Sequence, residues 1–250
     1  MAIDHSQTYQ KFRLRNIPHM QRLRQIRRTV KSLGVVDVDR YLDVGSSNGF
    51  VTSQVQSIVH ARKVWGIDYS REHLESARSR YPEFRFEEAD LNGSFDLGER
   101  FSFIICFETI EHTGRIANAL TEIYKHLLPG GILLLTVPIE TGWIGITKFA
   151  LKNFVYRDSF DEIKVSKWQY LRSLVRGDRM SQLRDLTRPG YGEHYGFDYR
   201  DINDHFDKYQ IPYTCSREFT TYVYVVRKAS GSSEASTGAR SYVSAGSTPK

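Results

Sequence analysis

Residues Tyr41 to Thr52 read YLDVGSSNGFVT. The apolar run from Tyr41 to Val44 enters a glycine-bearing turn, and Val51, Val55 and Ile58 then follow at i, i+4 and i+7. Strand, turn and helix in succession are predicted. Such a turn aims backbone N–H groups and the positive end of a helix dipole at whatever lies above the strand, so a ligand is expected there.

Outward from this stretch the rhythm repeats. VWGID (64–68) reads as a second strand, and Ser70 as the N-cap of a helix running to about Arg80, with Glu72 and Glu75 near its positive end. FRFEEAD (84–90) and FSFIICFE (101–108) read as strands three and four. Ile116, Leu120, Ile123 and Leu127 mark a helix expected to stop at Pro129-Gly130-Gly131, and GILLLTVP (131–138) is the fifth strand. Nearly unbroken apolar strands alternating with helices predict a parallel sheet covered on both faces, with ligands at the strands' carboxyl ends.

On the other side of the opening stretch, residues 8–33 are expected to be helical, with Pro18 starting a new turn or breaking the run at Ile17. Through Lys31 the chain holds eight basic residues against Asp4 alone, so the net charge of +6 is concentrated there and the remainder is about neutral. Localised basic charge points to an anionic partner, whether nucleic acid, phospholipid or a phosphorylated substrate, with a solvated helix face as the alternative.

The strand rhythm is lost from 140 to 192, where Phe149, Phe154, Tyr156, Phe160, Trp168 and Tyr170 mix with ten lysines and arginines. A helical insertion after a strand's carboxyl end is expected to cover the site as a substrate lid. A helix at 200–209 and strands at 213–219 and 220–228 follow. The small, polar residues 229–250 are expected to be disordered. The predicted organisation is a basic N-terminal helical segment (1–33), one domain (34–228) with the insertion at 140–192, and the tail.

At 250 residues and 40% hydrophobic, the chain can bury one sizeable α/β core. Cys106 and Cys215 give neither zinc spacing nor a disulfide framework, and Cys106 in its apolar run reads as a core thiol. With no apolar stretch of signal or membrane-span length, a cytoplasmic protein is expected, with peripheral membrane contact left open.

Two cofactor classes compete for the turn. A dinucleotide site wants G-x-G-x-x-G, whereas Gly45-Ser46-Ser47-Asn48-Gly49 lacks the second glycine. Asp43 would repel a pyrophosphate and attract an ammonium group. A zwitterionic amino-acid moiety suits both ends, its carboxylate meeting backbone N–H groups. Asp68 ends the second predicted strand, where an acid can accept from ribose hydroxyls, and Asp90-Leu91 ends the third, where a carboxylate and an N–H can meet an adenine edge. A lone strand-end aspartate is often a turn residue; three at consecutive strands are much less readily coincidental.

YLDVGSSNG, VWGIDYS, EEADL, FSFIICFETIEHT and LLPGGILLLTVP, in that order, resemble the successive motifs of class I S-adenosylmethionine (SAM)-dependent methyltransferases, including the ubiquinone-pathway O-methyltransferases. The resemblance covers roughly residues 35–140. It implies a Rossmann-like α/β fold with a seven-stranded sheet, mostly parallel, whose last strand is antiparallel. It also implies SAM as cofactor. Asp43, Gly45, Ser46, Ser47 and Gly49 would hold the methionine portion, and Asp68 the ribose. Ile67 and Tyr69 would flank the adenine, Asp90 and Leu91 would meet its edge, and Phe107 would close the site. Core packing is the competing reading of Ile67 and Phe107. Ser47 stands where the family usually carries glycine.

Methyl transfer from a sulfonium mainly requires an aligned nucleophile in a dry site, with a base where the acceptor must lose a proton. Glu108, Glu111 and His112 lie just past strand four, and His112 is the expected base. The spacing E-x-x-E-H also resembles that of metal-assisted ubiquinone-pathway and small-RNA 3′-terminal 2′-O-methyltransferases, where a later histidine, here His194, completes the site. Glu108, Glu111, His112 and His194 are thus candidate ligands for Mg²⁺, and Glu111, His112 and His194 the candidate catalytic set. The expected reaction is methylation, at oxygen, of a small-molecule, glycan or lipid-linked acceptor. The alternatives are RNA 3′-terminal 2′-O-methylation and a non-catalytic SAM-binding regulator.

Overall fold

The computed structural model describes residues 17–153, 160–161, 163–185 and 195–230. In chain order these form α1 (Ile17–Ser32), β1 (Arg40–Val44), α2 (Phe50–Val59), β2 (Lys63–Asp68), α3 (Arg71–Arg80), β3 (Arg85–Glu88), β4 (Phe101–Phe107), α4 (Ile116–Lys125), β5 (Leu127–Pro138), α5 (Gly142–Leu151), α6 (Lys167–Arg176), α7 (Arg200–Lys208), β6 (Tyr213–Glu218) and β7 (Thr221–Arg227). Short 3₁₀ turns lie at Ile110–His112 and Met180–Leu183.

The seven strands make one sheet in the order β3-β2-β1-β4-β5-β7-β6. Neighbours from β3 through β5 are parallel, while β7 runs antiparallel to both β5 and β6. The chain starts at β1 in the middle, builds outward to β3, then returns to the other side of β1 with β4. That reversal creates a crevice at the carboxyl ends of β1 and β4, the usual place for a ligand in open α/β sheets.

Alternation along the strands sorts the core into two layers. Tyr41 joins Phe103, Ile105, Leu134 and Val223 on one face, covered by Ile26 and Val30 of α1 and by Val55, Ile58 and Val59 of α2. Leu42, Val44, Ile104, Cys106, Leu133 and Leu135 point to the other face, covered by Leu120 and Ile123 of α4 and Ile202 and Phe206 of α7. A third cluster, Phe149, Tyr170, Leu174, Met180 and Tyr195, is the insertion's own core.

Several expected boundaries move. α1 is described from Ile17, the first described residue; residues 8–16 of the expected helix lie outside the described residues, as does the tail beyond 230. β3 has only four residues, so Asp90 sits in the turn after it, where its Oδ1 accepts from Asn92 N. α4 stops at Lys125 rather than at Pro129, and β5 already begins at Leu127. The physical reason is the sheet's far edge. Lys228 donates from Nζ to the carbonyls of Tyr124 and Leu127, and exchanges backbone hydrogen bonds with Gly130 and Gly131. Pro129-Gly130 is therefore an exposed irregularity within a strand, with Gly130 at φ 77°. No helix among the described residues is long and apolar enough to cross a membrane.

Candidate functional site

Asp43 points from β1 toward α2, 3% exposed, and accepts a 2.6 Å hydrogen bond from Thr52 Oγ1. Burial pushes its carboxyl up to about 7, against the Thr52 hydrogen bond, with the nearby Asp68 adding to the rise. A buried acid held near neutrality gains much from an incoming cation.

The turn after it is folded down onto β2. Gly45 N and Ser46 N both donate to Ile67 O (2.8 and 2.9 Å), Ser47 N donates to Asp68 Oδ2 (2.9 Å), and Gly49 N to Ser46 O (2.9 Å). The expectation that this turn aims its N–H groups at a ligand therefore fails at four positions. Pairing them inside the loop satisfies donors that would otherwise be buried without partners. Gly45 adopts φ 81°, and a Cβ there would lie 2.1 Å from Thr109 Oγ1, so the turn from β1 and the end of β4 touch backbone to side chain. Gly66, which sequence reading passed over, matters in the same way. A Cβ on it would meet Phe86 at 2.6 Å and Ser46 Cβ at 2.7 Å.

Asp68, 8% exposed, accepts from Ser47 N through Oδ2 and from Ser70 N through Oδ1 (2.9 Å each), leaving each oxygen a further lone pair. Ser70 caps α3 as expected, its Oγ accepting from His73 N. Tyr69 beside it is 50% exposed, an open ring at the strand end. Ile67 and Leu91 are buried in the α4 and α7 layer of the core, and Asp90 is exposed. Phe107 is half-buried in the other layer, bordering a small crevice with Arg22, Gln25 and Thr29 of α1 and Thr136 of β5.

Past β4 the chain turns sharply, with Glu108 at φ 48° and its N–H on Thr136 O. Glu108 Oε2 is 2.9 Å from Arg22 Nη2, an ion pair without hydrogen-bond alignment. Burial raises the Glu108 carboxyl although Arg22 and Lys148 oppose it. Glu111 is fully buried, and neither carboxylate oxygen has a hydrogen-bond partner. Burial, then the neighbouring Glu108, lifts it well above the usual range. His112 is half-buried at the end of the same 3₁₀ turn. His194 lies outside the described residues.

Four residues that the sequence reading left unassigned complete this end of the sheet. Glu140, two residues past β5, holds Lys148 Nζ at 2.9 Å and Lys152 Nζ at 3.6 Å, and Arg22 reaches in from α1. An acid just beyond a strand's carboxyl end followed by lysines at i+8 and i+12 was a readable signal; Arg22 had none, because only tertiary docking brings α1 there. Among the described residues no group of three or more His, Cys, Asp or Glu side chains could hold a metal ion. Glu108 faces the Arg22 guanidinium, and with His194 outside the described residues the magnesium reading gains no support.

A family model described as "Methyltransferase domain" matches residues 42–131. A probable S-adenosylmethionine-dependent methyltransferase of Mycolicibacterium smegmatis is 27% identical over 97 residues, 39% of this chain and 37% of that protein. The chain spans less than half the length of the curated relatives it matches. Among solved structures, magnesium protoporphyrin IX methyltransferase of Synechocystis, with bound SAH, superposes with a TM-score of 0.57 at 13% identity, covering 90% of this chain and 93% of that one. An S-adenosylmethionine-dependent methyltransferase from Clostridium acetobutylicum gives 0.56 at 15% identity, covering 83% and 90%. At these identities the structural likeness concerns the fold.

Proposed function

We propose, for a chain that belongs to the class I S-adenosylmethionine-dependent methyltransferases, that it transfers the methyl group of SAM to an oxygen of a small-molecule, glycan or lipid-linked acceptor. The observation that carries the cofactor half is the pair of buried carboxylates, Asp43 and Asp68, ending adjacent parallel strands. Their chemistry fits SAM. Asp43, buried and near neutrality, suits an ammonium group, and Asp68 has lone pairs left for two ribose hydroxyls. Tyr69 offers its exposed ring to the adenine, with Asp90 and the Leu91 backbone at the base edge and Gly45, Ser46, Ser47, Gly49, Ile67 and Phe107 shaping the walls.

When bound, SAM supplies an electrophilic methyl group that needs no metal to activate it. Glu111 and His112 follow the strand next to β1, on the acceptor side. His112, half-buried at the end of the 3₁₀ turn, suits the removal of a hydroxyl proton as the methyl group is transferred, with the buried Glu111 carboxyl next to it in sequence. Arg22 and Lys148 offset the adjoining Glu108 and Glu140 charges. No step is assigned to magnesium. Within the insertion Phe149, Tyr170 and Tyr195 are buried against one another and withdrawn from stacking on bases, whereas Trp143 and Trp168 are exposed singly on different helices, which is weak support for the RNA reading.

The test of transfer is incubation of the protein with methyl-tritiated SAM and a cell extract. Label entering a small-molecule, glycan or lipid fraction supports the reading; label in RNA replaces the acceptor, and no label favours a SAM-binding regulator. The cofactor site is checked separately by calorimetry. Asp68→Asn keeps one acceptor oxygen for the loop while losing the charge, and should weaken SAM binding by about 2 kcal/mol, roughly thirtyfold in Kd. Unchanged affinity would overturn the site.

A further inference from the structure

Helix α6 is a preformed element of the insertion. Ser166 and Gln169 close a capping box at its start, and Gly177 ends it in the left-handed conformation. Its inner face is accounted for: Tyr170 and Leu174 are 2% exposed, and Tyr170 stacks on Phe149 while its hydroxyl oxygen accepts from Gly196 N. Its outer face is not. Trp168 is 81% exposed and Val175 68%, and Arg172 and Arg176 are exposed beside them. At 100° per residue these four side chains share an arc of about 100° opposite Tyr170 and Leu174.

From Ile163 to Gly177 the sequence has four basic residues, Lys164, Lys167, Arg172 and Arg176, all exposed, and no acidic one. The nearest acids in sequence, Glu162 and Asp178, flank this stretch without interrupting it. Solvated helix faces rarely leave an indole and a valine side by side in water, and purely electrostatic faces do not need them. Cations around an exposed tryptophan and an aliphatic side chain form the pattern of an interfacial helix, with the indole at headgroup depth and the cations against phosphate. Only one aromatic ring lies on the face, whereas single-stranded nucleic acid is held by successive stacking rings.

We propose that the outer face of α6 docks the protein on an anionic phospholipid surface, through Trp168 and Val175 for the apolar contact and Arg172 and Arg176 for the headgroups. Inside the insertion α6 packs on α5, the helix that carries Lys148, where Leu174 meets Gly145. Neither the lipid contact nor its test depends on which acceptor is methylated.

The full-length chain, with Trp143→Phe to remove the other exposed indole, is mixed with vesicles of equal parts phosphatidylglycerol and phosphatidylcholine, and with vesicles of phosphatidylcholine alone. Co-sedimentation and a blue shift of Trp168 emission are expected with the first only, weakening as salt rises. Arg172→Glu with Arg176→Glu should reduce the partition coefficient about tenfold or more. Trp168→Ala should reduce it as well, with far-ultraviolet circular dichroism and SAM affinity unchanged in both. The proposal is overturned by absence of vesicle binding, by equal binding to both vesicle types, by variants that bind as tightly as the parent, or by binding of single-stranded RNA in place of vesicles.

Discussion

Ser47 holds φ at 46°, a left-handed conformation that a side chain adopts at a cost of about 1 kcal/mol or more. Its family resemblance expects glycine here, and the backbone supplies the reason. The same turn keeps Gly45 and Gly49 at φ 81° and 76°. Ser47→Gly should stabilise the protein by up to about 1 kcal/mol, because relief of the left-handed strain exceeds glycine's extra unfolded-state entropy. A rise in Tm of roughly 2–4 °C in thermal unfolding checks it. Asp43 carries a second residue-scale expectation. Its carboxyl titrates near 7 in the free protein, so a cationic ligand should expel a proton as it binds. SAM affinity should rise with pH between 6 and 8, and calorimetry in buffers of different ionisation enthalpy should report proton release, lost in Asp43→Asn.

α5 and α6 meet at Gly145. A Cβ on that residue would lie 2.3 Å from Glu140 O and 3.2 Å from Leu174 Cδ2. The first contact is backbone, which cannot swing aside, so Gly145→Ala must shift either the start of α5 or the residue that holds Lys148 and Lys152. An overpacking cost of about 1–3 kcal/mol is expected. Methyl transfer should fall with it, while SAM affinity, which depends on the far side of the crevice, should stay within about twofold. Parallel measurement of transfer and of SAM binding separates the two. At α1 the expectation of a free basic face is half revised. Arg22 is committed to Glu108 and Arg27 to Gln54 Oε1, leaving Arg24, Arg28 and Lys31 exposed along one side.

Across the whole molecule, the pH response is set by carboxyls that burial raises. Asp43, Glu108 and Glu111 all bind protons more readily folded than unfolded. Their contribution to stability is complete below the unfolded carboxylate range and is lost as pH rises through the folded values. For Asp43 that window runs from the ordinary aspartate value of 3.8 to about 7. The free protein should therefore have a higher Tm near pH 6 than near pH 8, and saturating SAM should narrow the difference. A ligand-free Tm that climbs from pH 6 to 8 would contradict the role given to these acids.

The strand-turn-helix at 41–52, the order of the five parallel strands and the acids at 43 and 68 were legible in the sequence, because alternation, apolar runs and strand-end position are local properties. The seven-stranded fold followed from the resemblance, not from periodicity alone. Tertiary structure decided the rest. Lys228, a hundred residues away in sequence, ends α4 and starts β5 early; the loop's N–H groups close on β2 instead of facing a ligand; and Arg22, Glu108, Glu140 and two lysines gather at one end of the sheet. Such pairings join elements distant in the chain, and a one-dimensional pattern carries no record of which charge will be buried beside which.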